Sequence, residues 1–228
     1  MDLIAEKELY ADSIEFSYGS HHSLLTGVHV NCRVGEVVAL LGRNGAGKST
    51  LMKILFGVLR AKNAYIRLNG NKTRFAFKTK DICYLPQYRY LPAYISVYNA
   101  IRLMVSRVEA RKEIEKDEVI AKVLYQKTGD LSMGEQRYLE LILLLYQPAT
   151  FYLLDEPFSG VSPYLKERIQ ELITAHRHCK GFIISDHHYH SVLDISTRIL
   201  LLQNGGCRSI EHKKDLEYFY VPEGTFDD

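Results

Sequence analysis

Apolar positions along the chain repeat with two different periods. They alternate through Ser13-Ile14-Glu15-Phe16 and Val28-His29-Val30, then run unbroken through Val37-Val38-Ala39-Leu40-Leu41. Alternation marks a strand with one covered face; a continuous β-branched and aliphatic run marks a strand buried on both. After Gly42 the period lengthens. Leu51, Ile54, Leu55 and Val58 recur at helical spacing, and Gly57 stands where a helix C-terminal cap is expected. Two more unbroken runs follow, Phe151-Tyr152-Leu153-Leu154 and Gly181-Phe182-Ile183-Ile184-Ser185, with a helix expected between them at about 163–175. Residues 64–85 read as short strands turning at Asn69-Gly70-Asn71. Over 94–128 strand-like runs give way to a charge-dense helical stretch at 107–127. Its interrupted apolar face is Ile114, Ile120, Val123 and Leu124, and its charges read as a solvated helix face. The tail at 198–210 reads as a hairpin turning at Asn204-Gly205-Gly206, followed by a short terminal helix. Strands alternating with helices predict an α/β core with a largely parallel sheet.

Composition narrows the class. At 228 residues the chain suits one large domain, or one domain with a small insertion, and can bury a core without disulfide or metal staples. A net charge of +2 argues against a dedicated nucleic-acid binder. Cys32, Cys83, Cys179 and Cys207 are widely spaced and read as ordinary thiols of a reducing compartment. No run approaches the ~18 apolar residues of a membrane span. The N-terminus lacks the basic start and apolar core of a secretory signal. A soluble, intracellular protein is expected.

The stretch Gly42-Arg43-Asn44-Gly45-Ala46-Gly47-Lys48-Ser49 fits G-x-x-x-x-G-K-[ST] between a buried strand and a helix. Its glycines let backbone N–H groups converge on phosphate oxygens, and the following helix adds its positive end. Lys48 supplies an ammonium for the β- and γ-phosphates, and the Ser49 hydroxyl can ligate Mg²⁺. Asp155 ends a buried strand, where ligands bind in parallel sheets, and would hold Mg²⁺ directly or through water. Glu156 would then polarise the attacking water as general base. Taken alone, such an Asp-Glu pair is usually a turn.

Ser132 and Glu135 form an S-x-x-E capping box in Leu131-Ser132-Met133-Gly134-Glu135-Gln136, so a helix starts there. A capped N-terminus beside a glycine is also an anion site. Asp186, His187, His188 and His190 invite a metal reading, but adjacent histidines on an extended segment point apart. An inert loop and a histidine reaching the γ-phosphate are the other readings.

Taken in order, these motifs resemble the ATP-binding cassette (ABC) ATPase family over essentially the whole chain. Gly42 to Thr50 matches the family's Walker A loop, and Phe151 to Glu156 its Walker B strand with catalytic glutamate. Leu131 to Gln136 is similar to the LSGGQ signature, the motif most specific to the family. The resemblance makes Tyr18 the aromatic residue that stacks on adenine. It makes Gln87, in Tyr84-Leu85-Pro86-Gln87, the glutamine that touches Mg²⁺ and the attacking water, and His187 the switch histidine.

It also implies one domain over 1–228: a core from 1–87 and 150–228, with an N-terminal antiparallel β region, and a helical subdomain at about 88–149. Each ATP would lie between one subunit's Walker A loop and the signature of a second ABC ATPase subunit, expected as a homodimer. Ser132, the Gly134 backbone and Glu135 would face that nucleotide. A transmembrane permease would receive force at the cytoplasmic face of the membrane. A soluble, non-transport cassette that scaffolds cofactor assembly is the alternative.

Three departures stand out. Met133 replaces the first signature glycine and is expected to crowd the backbone near the γ-phosphate; Glu135 replaces the common Gln; Ser162 replaces the usual Asp of the loop after Walker B.

Overall fold

The computed structural model describes residues 7–19 and 23–226. The expectation of no secretory signal falls largely on residues 1–6, outside that range.

Two sheets carry the architecture. In the first, β1 (Glu8–Ser17), β2 (Ser23–Arg33), β4 (Asn63–Leu68) and β5 (Asn71–Lys72) pair antiparallel in the order β2-β1-β4-β5. In the second, β3 (Val37–Leu41), β6 (Ile82–Leu85), β7 (Phe151–Asp155), β8 (Gly181–Ser185) and β9 (Arg198–Gln203) run parallel. The antiparallel edge strand β10 (Gly206–Ile210) completes the order β10-β9-β3-β8-β7-β6.

The unbroken apolar runs have a direct cause. Successive side chains of a strand point to opposite faces, and here both faces are covered. On one side Ala39, Leu41, Tyr152, Leu154 and Ile184 share a core with α5 (Met133–Leu145) and α6 (Pro163–His176). On the other, Val38, Leu40, Leu153 and Ile183 meet α1 (Lys48–Phe56) and the inner face of the antiparallel sheet.

Helix termini follow local chemistry. Gly57 ends α1 in the left-handed conformation, its N–H donating to the Lys53 and Ile54 carbonyls. Ser132 caps α5 with the reciprocal capping box its sequence predicts. Ser162 caps α6, with Pro163 in the first turn. Asp and Ser both serve as N-caps, so the Ser162 departure keeps a capping residue.

The helical region differs from its sequence reading in detail. The stretch expected as one charge-dense helix is two short ones, α3 (Val108–Glu115) and α4 (Glu118–Val123). The strand-like stretch before them contains α2 (Val97–Met104), capped by Ser96. Val97, Ala100 and Ile101 there bury in the core they share with α5 instead of pairing in a sheet, so tertiary context overrides propensity. A 3-10 turn at Ala76–Thr79 was not anticipated, and the terminal helix is a 3-10 segment, Lys213–Tyr218. A short α7 (Tyr189–Leu193) follows the histidine segment. All four cysteines are free thiols.

Candidate functional site

Four segments converge at the carboxyl ends of the parallel strands. Gly42 follows β3, Pro86-Gln87 follows β6, Glu156 follows β7, and Asp186-His187 follows β8. Ligands bind in this crevice in open α/β sheets. It is a cleft of about 450 Å³ whose lining includes Tyr18, Lys48, Ser49, Gln87, Glu156 and His187. Asn44, Gly45, Gly47 and Thr50 complete the phosphate-loop wall. Gly42, Arg43 and Ala46 belong to the same loop but do not line this cleft; Arg43, Asn44, Gly45 and Ala46 line a second hollow beside Phe219 and Tyr220.

Gly47 stands at the head of α1 with φ 105°, a conformation open to glycine at little cost, and its carbonyl accepts the Leu51 N–H at 2.8 Å. Lys48 is buried, its Nζ donating to the Gly42 carbonyl at 2.7 Å and the Arg43 carbonyl at 3.3 Å. Burial pulls this ammonium below its ordinary pKa, while Glu156, Asp155 and Asp186 oppose the shift. Tyr18 is exposed, its ring edge-on to Phe16 and its hydroxyl 3.2 Å from Thr50 Oγ1. One aromatic face is thus tethered beside the loop yet open to a planar ligand.

Asp155 is fully buried. Its Oδ1 accepts from the Ser185 hydroxyl at 2.7 Å and its Oδ2 from the Tyr84 hydroxyl at 3.0 Å. Each carboxylate oxygen keeps a second lone pair. Asp155 does not itself line the cleft that Ser49 and Gln87 share; a carboxylate, a hydroxyl and an amide oxygen are donors that suit a hard divalent cation such as Mg²⁺. Among the described residues no group of three or more His, Cys, Asp or Glu could hold a metal.

Glu156 occupies the left-handed region at φ 56°, uncommon for a non-glycine residue. Its N–H donates to the Ser185 carbonyl at 2.7 Å, and its Oε1 lies 2.7 Å from His187 Nε2. Side chains that sequence placed on separate strands are therefore in direct contact. His188 does not share the cleft lining, and its N–H donates to Asp186 Oδ1 at 2.8 Å.

Ser132, Gly134 and Glu135 do not line this cleft. Ser132 and Met133 are exposed at the head of α5, and the Ser132 hydroxyl lies 2.6 Å from Glu135 Oε2. The Met133 side chain lies over Gly160, where a Cβ would come 2.2 Å from its sulfur.

Sequence reasoning missed the supporting roles of four residues, Arg137, Glu140, Asp186 and Tyr84. The buried Arg137 on α5 donates to the Pro86 carbonyl at 2.7 Å and to the Asp155 carbonyl, and pairs with the buried Glu140 at 3.4 Å. Glu140 in turn accepts the Tyr90 N–H at 3.0 Å. The buried Asp186 accepts the Phe158 N–H at 2.7 Å, fixing the loop after Glu156. The fourth is Tyr84. For Arg137 and Glu140 the signal available was a pair of charges among the apolar positions of α5, since buried charges need partners.

Known proteins resemble this chain in sequence and in fold. A family model described as ABC transporter matches residues 25–159. A probable ABC transporter ATP-binding protein of Azorhizobium caulinodans is 30% identical, over 96% of this chain and 84% of that protein. A putative ABC transporter ATP-binding protein of Bacillus anthracis is 35% identical over 72% of this chain, which spans only 32% of that longer protein. A solved structure of an ATP-binding subunit of an ABC transporter superposes with a TM-score of 0.81 at 22% identity, covering 92% of each chain, which shows the shared fold. With the phosphate loop, the acidic strand end and the signature helix present in the family's order, this chain belongs to the ABC transporter family as one of its ATP-binding, ATP-hydrolysing subunits.

Proposed function

We propose that the cleft holds the triphosphate of ATP and that Glu156 is the base that starts its hydrolysis. The observation that carries this is the contact of Glu156 with His187 at the rim of a cleft floored by Lys48 and Ser49. The Gly42–Ser49 backbone and Lys48 bind the β- and γ-phosphates, Tyr18 stacks on adenine, and Thr50 holds the Tyr18 hydroxyl. Ser49, Asp155 and Gln87 would hold Mg²⁺, which would neutralise charge on the phosphate oxygens. Glu156 accepts the proton of a water that attacks the γ-phosphorus. The bond to the β-phosphate oxygen breaks, leaving ADP and phosphate. His187 orients Glu156 and contacts the γ-phosphate.

The chain is one cassette domain: the core spans 1–87 and 150–228 and the helical subdomain about 88–149. Its signature residues, Ser132, Gly134 and Glu135, stand away from the cleft and serve the nucleotide of a second cassette, in a homodimer. The partner that receives the force is a transmembrane permease. Its docking element meets the aromatic ground beside Gln87, where Phe56 lies 5.8 Å from Phe77 and 5.6 Å from Tyr84, and Tyr88 is exposed. The chain would then sit at the cytoplasmic face of the membrane; no helix among the described residues is long and apolar enough to cross one. The names of the relatives favour this reading over a soluble cofactor-assembly scaffold.

The test is Glu156→Gln, assayed for ATP binding and for steady-state hydrolysis. Binding should persist while turnover falls by at least ~100-fold, as expected on losing a general base. Hydrolysis at the wild-type rate would remove Glu156 from the mechanism.

A further inference from the structure

A second cleft of about 470 Å³ opens at the far end of α1 from the phosphate loop, and its composition is unlike the first. Its floor is apolar: Ile54 on α1, Leu59, Ala61, Ala64, Ile66 on β4, and Phe75. Four cations line it, Arg60, Lys62, Lys72 and Arg74, and no carboxylate does. None of the four forms an ion pair among the described residues. Lys72 and Arg74 lie only over aromatic rings, 5.2 Å from the Tyr65 centroid and 5.6 Å from that of Phe75.

We infer that this cleft is a binding site for a small, soluble phosphate ester with an apolar body. Uncompensated cations around a hollow concentrate anions, and Arg and Lys are the usual phosphate donors. An apolar floor adds affinity for a molecule with a ring or short chain, and the volume lies in the range of small-molecule pockets. The concave shape favours such a ligand over a membrane surface. The negative end of α1 offers little opposition. The Lys53 carbonyl is taken by the N–H groups of Gly57, Val58 and Leu59, and the Ile54 carbonyl by Gly57. The site is separate from the nucleotide cleft and does not depend on how ATP is hydrolysed.

The test uses the full chain with its phosphate loop saturated by ADP, titrated calorimetrically at low salt with 1-naphthyl phosphate. Saturable binding is expected, weakened at least ~10-fold in Arg60→Glu/Arg74→Glu, since charge-assisted contacts to phosphate are the strong ones. The same loss is expected in Lys62→Gln/Lys72→Gln, whose charge change is milder should the first variant fold poorly. ADP affinity should be unchanged in both, and neutral 1-naphthol should bind at least ~10-fold more weakly. No saturable binding, or binding untouched by both variants, would overturn the site. Equal affinity for inorganic phosphate would overturn the apolar part. Binding to phosphatidylglycerol vesicles or to polyglutamate without binding of the naphthyl ester would overturn the assignment to a small ligand.

Discussion

Glu156 and Gly160 show how much of this site rests on single backbone positions. Left-handed conformation at a non-glycine residue costs about 1–3 kcal/mol and persists only where its surroundings over-determine it. Glu156 is held there by the Ser185 carbonyl on one side and His187 on the other. Four residues on, Gly160 adopts φ 68° beneath the Met133 side chain. The Met133 departure thus has a definite structural correlate: its side chain lies against the chain's own loop after Walker B. Gly160→Ala should cost about 1–3 kcal/mol from backbone strain, plus the clash with Met133. The double variant Met133→Ala/Gly160→Ala should recover the clash and keep the strain. Urea denaturation of the four proteins in this cycle would show it. Additive losses would mean that Met133 does not lie where the structure puts it.

Among the elements, the strands were the most legible in the sequence and the short helices the least. Four-to-five-residue apolar runs without alternation have one common cause, burial on both faces, and β3, β7 and β8 lie where those runs predict. The Walker A loop, the capping box of α5 and the hairpin at Asn204-Gly205 were equally readable, because each depends on residues close in sequence. Helix α2 was not readable, because its preference is set by α5 across the fold. The grip of Arg137 on Pro86 and Asp155 was hidden for the same reason: it joins residues 51 and 18 positions away. Departures from the family pattern could be seen in sequence, but the capping role of Ser162 needed coordinates.

The start of β8 carries a comparable hidden link. The buried Lys180 donates to the Leu145 carbonyl at the end of α5, to the Gln147 carbonyl just past it and to the Tyr152 hydroxyl, with no carboxylate partner among the described residues. Burial lowers its pKa to about 8. The unfolded chain holds this proton up to about pH 10.4. Between the two values the unfolded state binds more protons, so this group adds stability as pH rises. Below about pH 8 both states are protonated and the penalty on the buried charge is constant. The stability difference between wild type and Lys180→Met should therefore move in favour of wild type from about pH 8 to about pH 10.4. Parallel pH profiles in chemical denaturation would show that Lys180 does not titrate in that window.

At the scale of the molecule, one half of the machinery stands apart from the other. Lys48, Ser49, Gln87, Glu156 and His187 line one cleft, while the capped head of α5, with Ser132 and Met133 exposed, lies elsewhere on the same chain. Arg137 runs between them, tying the signature helix to the segment before Gln87 and to the end of the Walker B strand. A nucleotide gripped by one chain's loop and another's signature would make closure of two chains depend on ATP, and its hydrolysis would release them. The most direct measurement is sedimentation of the Glu156→Gln chain with and without ATP and Mg²⁺. A monomer should become a dimer holding two nucleotides, and Ser132→Ala in the same background should abolish the dimer while the monomer still binds ATP. A Glu156→Gln chain that stays monomeric with ATP bound would contradict the shared site.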